Sequence, residues 1–90
     1  MLPEDPLLRG RLLRSARLLL DWSQARLACE IGSSRATVHA VESGRLDRAC
    51  PAAVAMAAAL ERAGVAFIPP DGRLGPGLRY TPRGQPAGLK

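Results

Sequence analysis

Apolar residues in the first third of the chain recur with a helical period. Leu8, Leu12, Ala16 and Leu19 fall on one side, and Arg11, Arg14 and Arg17 on the other. This spacing predicts an amphipathic helix over about 7–20. Gly10 costs up to about 1 kcal/mol relative to Ala inside it, so its first turn is expected to fray. Residues 1–6, with two prolines and two acids, read as a loose leader. Asp21-Trp22-Ser23 breaks the period, and Ser23 is a good N-cap for a helix over 24–31 with Leu27, Ala28 and Ile31 inward. Gly32 can end that helix in the left-handed conformation. Ser33 or Ser34 then caps a third helix over 35–43, with Val38 and Val41 inward and Gly44 closing it. Pro51 suits the first turn of a helix over 51–63, whose apolar side would be Val54, Met56, Ala57 and Leu60. After Gly64, the run Val65-Ala66-Phe67-Ile68 reads as a strand, and 77–81 as a second strand joined to it in a hairpin. Five of the eight prolines and five of the nine glycines lie from Pro69 onward, which predicts disorder over the last residues, 82–90. No internal repeat is present.

Composition narrows the class. Ninety residues make one small domain, which buries about 60–65% of its unfolded surface and gains from a partner subunit. Hydrophobic residues are 47% of the chain but aromatics only 3%. A core of Leu and Ala favours packed helices over a β-sandwich, so the expected fold is mainly α with a short C-terminal strand or hairpin. The helical unit spans 7–64, and the strand or hairpin 65–81.

Charge and candidate chemistry then separate the function classes. The net charge is +5, and twelve of the thirteen basic residues are arginine. Arginine suits bidentate contact with phosphate and guanine edges, so a nucleic-acid partner is suggested. Cys29, Cys50 and His39 have no metal-type spacing, so reduced thiols and neither metal nor cofactor are expected. Eight scattered acids and one histidine supply no nucleophile, base and orienter together, which argues against an enzyme. The start mixes Leu and Arg, but Glu4 and Asp5 come early and arginines interrupt every apolar run, unlike a signal or presequence. No stretch approaches the roughly 20 apolar residues of a membrane span, so a soluble intracellular protein is expected.

The second and third helices, joined through Gly32-Ser33-Ser34, make a candidate helix-turn-helix. Trp22-Ser-Gln-Ala-Arg-Leu-Ala, then Gly32, then Ser34-Arg-Ala-Thr-Val-His-Ala-Val-Glu-Ser-Gly44 resembles the Xre/Cro-like helix-turn-helix family. Arg17 also stands seven residues before Gln24, as the family pattern has it. The ending Ala63-Gly-Val-Ala-Phe-Ile, with Gly77-Leu78-Arg79, looks like a subgroup of small bacterial regulators. The resemblance covers about 7–80. It implies a lambda-repressor-like domain of four or five helices acting on DNA. Two positions depart from the pattern: Ser33 replaces an apolar turn residue, and Arg48 stands where a loop proline is frequent.

The resemblance assigns site residues, and elementary chemistry fits them. Arg35, Ala36, Thr37, His39 and Ala40 fall on the expected base-reading face. There Arg35 suits guanine O6 and N7, and the alanines suit thymine methyls or close approach. Ser23, Gln24, Ser34, Ser43, Arg45 and Arg48 are expected at the DNA backbone, with Gln24 donating its amide to a phosphate. Arg17 and Glu42 are implied to be a structural ion pair. Trp22 reads as packing near the turn. Exposed strand edges invite pairing with another chain, so Val65, Phe67, Ile68, Leu78 and Tyr80 are the expected dimer interface.

The function so implied is a homodimeric, sequence-specific double-stranded-DNA-binding regulator, a repressor, in the bacterial cytoplasm at the nucleoid. One alternative is an antitoxin or phage-type regulator whose C-terminal segment also binds a protein partner. Another uses the Arg/Leu helix as an amphipathic membrane-surface anchor. That helix's apolar face is needed for packing, so no membrane partner is expected.

Overall fold

A computed structural model of the chain describes residues 2–46 and 50–81. Within them lie helices α1 (Pro6–Leu19), α2 (Gln24–Glu30), α3 (Arg35–Glu42) and α4 (Pro51–Ala63), then strands β1 (Val65–Ile68) and β2 (Gly77–Tyr80). The protein is mainly α with a short antiparallel hairpin at the C-terminal side. No helix among the described residues is long and apolar enough to cross a membrane. The tail over 82–90 and Arg48 lie outside the described residues.

Local chemistry accounts for the helix boundaries. Asp5 caps α1, its carboxylate accepting from the Leu7 amide, and Pro6 takes the first helical position, where no amide is needed. At the other end Asp21 adopts φ 58°, and the Asp21 and Trp22 amides donate to the Leu18 and Arg17 carbonyls. That pair of bonds is a Schellman closure with aspartate in the place glycine usually takes. Pro51 again opens α4. Residues 2–6, expected to be loose, carry the α1 cap, and Leu2 is half-buried against the core.

The core gathers Leu13 and Ala16 from α1, Leu27 and Ala28 from α2, and Val38 and Val41 from α3. Ala53, Met56, Ala59 and Leu60 from α4 complete it, together with Cys50 and Val65. The inner face of α1 differs from the one its periodicity predicts. Leu8 and Leu19 are exposed and Leu12 half-buried, whereas Arg9, Gly10 and Arg17 are buried beside Leu13 and Ala16. Two contacts turn the helix this way. A Cβ on Gly10 would lie 2.5 Å from the Val41 carbonyl oxygen and 2.6 Å from that of Glu42, so α1 meets the α3 backbone there. Arg17 is drawn in by Glu42. The glycine expected to fray the helix is thus one that lets α1 lie directly against the α3 backbone. On α4, Val54 points outward at 67% exposure, and the smaller Ala53 and Ala59 take the inner positions beside Met56 and Leu60.

In the hairpin, Val65 pairs with Tyr80, Ala66 with Arg79, Phe67 with Leu78 and Ile68 with Gly77. Directly opposed residues share a face. Val65, Phe67 and Leu78 all pack on the core of their own chain. Of these three, expected at a dimer surface, Val65 is buried and Phe67 and Leu78 are half-buried against that core. Of that set, Ile68 and Tyr80 remain exposed.

Candidate nucleic-acid interface

The α2–α3 connection is fixed at both ends. The Ser33 amide donates to the Ala28 carbonyl at 2.9 Å and the Gly32 amide to that of Cys29 at 3.2 Å. Gly32 sits at φ 65°, which makes the pair a Schellman closure that glycine adopts without strain. Ser34 then caps α3: its hydroxyl accepts from the Thr37 amide at 3.1 Å and lies 3.0 Å from the Thr37 hydroxyl. Ser33, which departs from the apolar residue of the resembling motif, is exposed and holds the turn by its backbone alone.

Beneath the turn, one network ties the three N-terminal helices together. Arg17 Nε donates to Glu42 Oε2 at 2.7 Å and Arg17 Nη2 to Glu42 Oε1 at 3.1 Å. Arg17 Nη1 donates to the Trp22 carbonyl at 2.8 Å, just before α2. Both charged residues are buried, and their bidentate geometry satisfies each with the other. Glu42 Oε1 also accepts from Gln24 Nε2 at 3.0 Å. The amide that the sequence assigns to a phosphate is therefore engaged within the protein, and Gln24 acts as a positioning residue between α2 and α3. Gln24 Nε2 also stands 3.5 Å from His39 Nδ1. A hydrogen bond from this amide would use Nδ1 as the acceptor and leave Nε2 as the ring nitrogen able to donate. Nε2 in turn lies 3.4 Å from the Ser43 hydroxyl.

Above this network is an open polar hollow of about 700 Å³. Arg14 and Arg17 of α1 form one wall, Ser23, Gln24 and Ala25 the start of α2, and Arg35, His39, Glu42 and Ser43 of α3 the other wall. Five residues assigned from the sequence to DNA thus meet here: Ser23, Gln24, Arg35, His39 and Ser43. Outside the hollow, Ala36 is exposed and Ala40 half-buried on the outer side of α3, opposite Val38 and Val41. Thr37 is half-buried and tied to Ser34, so it supports the cap. Arg45 is exposed just after α3. The expectation for Arg48 falls outside the described residues. Trp22 is half-buried against the core, with the Arg26 guanidinium 4.4 Å from its ring centre.

Arg14 is the charged lining residue that sequence reasoning missed. It lies three residues before Arg17, so the two are neighbours on one helix surface. That spacing was the available signal, hidden among four arginines in nine residues (Arg9, Arg11, Arg14 and Arg17). Cys29 is exposed, Cys50 is buried and both are free thiols. Comparison of the chain with family models and with curated proteins finds no match.

Proposed function

We propose that this chain is a sequence-specific, double-stranded-DNA-binding transcriptional regulator, a repressor that enters the major groove with α3. The observation that carries the reading is the outer stripe of that helix. Arg35, Ala36, His39, Ala40 and Ser43 recur at helical spacing on the side away from Val38 and Val41, and the stripe is exposed apart from half-buried Ala40. It joins three hydrogen-bonding groups (the Arg35 guanidinium, the His39 imidazole and the Ser43 hydroxyl) to two side chains small enough to let the helix axis come close. Guanine presents the acceptors O6 and N7 in the major groove, where one guanidinium, a donor only, can meet both. Ala36 and Ala40 suit thymine methyls.

The surroundings supply the backbone contacts and the bracing. Ser23 and Ser34 accept amide hydrogens at their caps, and a hydroxyl that accepts keeps its own hydrogen to donate. Ser43 and Arg45 flank the C-terminal end of α3, where phosphates would pass. The Arg17–Glu42–Gln24 network holds α3 against α1 and α2, so its pose is set before DNA arrives. The likeness of this segment to the Xre/Cro-like motif supports the same reading. One short helix reads few base pairs, so two copies on a pseudo-palindromic operator would supply the remaining specificity.

Selection from a random duplex library at near-physiological salt tests the proposal, with Arg35→Ala run in parallel. The expected result is a two-fold symmetric motif for the wild type, and loss of preference at one position of each half-site for the variant. Salt-insensitive binding, or enrichment of no motif by the wild type, would overturn it.

A further inference from the structure

We propose that Arg14 of α1 is a separate phosphate anchor, so that one strand of the duplex crosses the hollow between α1 and α3. The inference rests on the DNA-binding reading and adds to it a contact from the first helix.

The charge inventory of the hollow leads to it. Three guanidiniums line it, from Arg14, Arg17 and Arg35, against the one carboxylate of Glu42. That carboxylate is fully committed: Oε2 to Arg17, and Oε1 to both Arg17 and Gln24. Arg17 and Glu42 therefore cancel at the floor. Arg14 and Arg35 are exposed on opposite walls, and neither forms an ion pair with any described residue. Two like charges facing one concavity repel each other until an anion enters between them. The Ser23 and Ser43 hydroxyls on the same lining offer neutral donors beside them.

The anion's class follows from how these groups are spread. They come from three elements and surround an open hollow, rather than converging on one enclosed point. A chain of phosphodiesters, which presents charge at regular intervals along a groove wall, matches that distribution better than a single small anion. On this geometry Arg35 faces the bases from α3, while Arg14 grips the backbone from α1. The duplex is held from both walls, and rotation about the α3 axis is restricted.

The test is the salt dependence of binding to a fluorescein-labelled, mixed-sequence duplex, read by anisotropy with the full-length chain. Arg14→Ala is compared with Arg62→Ala, which removes an equal charge from the end of α4, outside the hollow. Both positions are exposed and helical, where alanine is well tolerated. Circular dichroism verifies that both variants fold. Arg14→Ala is expected to weaken binding several-fold on every sequence and to lower the slope of log K against log salt by about one. Arg62→Ala should leave the slope unchanged, and Arg14→Lys should restore it, because a point charge still neutralises a phosphate. Equal slopes for Arg14→Ala and Arg62→Ala would overturn the anchor and leave the α3 reading standing. A wild type without salt-sensitive duplex binding would overturn both.

Discussion

Arg17 has little freedom in what it does. Its guanidinium sits beneath the proposed reading surface, donating twice to Glu42 and once to the Trp22 carbonyl. A buried pair of this kind adds little net stability over an apolar pair, but removing one partner strands the other charge. Glu42→Ala should therefore cost about 3–5 kcal/mol in urea unfolding. It should also free the Gln24 amide, so DNA affinity measured below the unfolding midpoint should fall even though Glu42 touches no nucleic acid. Glu42→Ala stability within about 1 kcal/mol of wild type would contradict the account, since a stranded buried charge costs more than that. The two partners are visible in the sequence at motif spacing, and so are Ser34 as a cap and Gly32 as a turn. Gln24 is different. Its type and place at a helix start fit a phosphate contact, and the competing acceptor, Glu42, lies eighteen residues away along the chain. Such competition is decided by how α3 closes over α2, which no local pattern encodes.

At the scale of elements, the order and span of the helices were legible because caps, prolines and glycines punctuate them. Which face of α1 turns inward was not. Hydrophobic spacing favoured Leu8, Leu12 and Leu19, while the helix buries Arg9, Gly10 and Arg17 with Leu13 and Ala16. A count of apolar residues gives no credit to a glycine that admits a neighbouring backbone, or to an arginine that meets a buried carboxylate. Gly10→Ala separates the two influences. Intrinsic propensity alone would make the variant more stable by about 1 kcal/mol. The added Cβ would lie 2.5 Å and 2.6 Å from two backbone carbonyl oxygens of α3, and backbone cannot swing aside as a long side chain can. The expected outcome is a lower Tm, with a net loss of about 1–3 kcal/mol from overpacking. Because the displaced element is the proposed reading helix, DNA affinity should fall with it. A raised Tm would show that α1 and α3 are not held at this distance.

For the whole molecule, the hairpin packs on the core, and the sequence did not separate that role from pairing with a second copy. Short strands with exposed edges suggested a dimer surface, yet Val65, Phe67 and Leu78 complete the core of their own chain. Strand pattern identifies which residues alternate, but not whether the covering layer is intramolecular. A chain ending at Gly64 would therefore lose core as well as any interface, and its oligomeric state would say little. The exposed members give a cleaner test. Ile68 is 37% and Tyr80 52% exposed, and among the described residues each strand of the two-stranded sheet keeps one edge without a strand partner. Ile68→Glu combined with Tyr80→Glu places charge at the two exposed positions, Ile68 on the outer face and Tyr80 across from Val65 at the rim of the inner one, so circular dichroism first verifies that the double variant folds. If two copies pair there, the wild type should sediment as a dimer and the double variant as a folded monomer. The monomer should bind an isolated half-site about as well as the wild type does, but lose its advantage on a two-fold symmetric site, because α3 is intact and only the coupling between half-sites is gone. A double variant that sediments with the wild type would place the contact between copies elsewhere on the molecule.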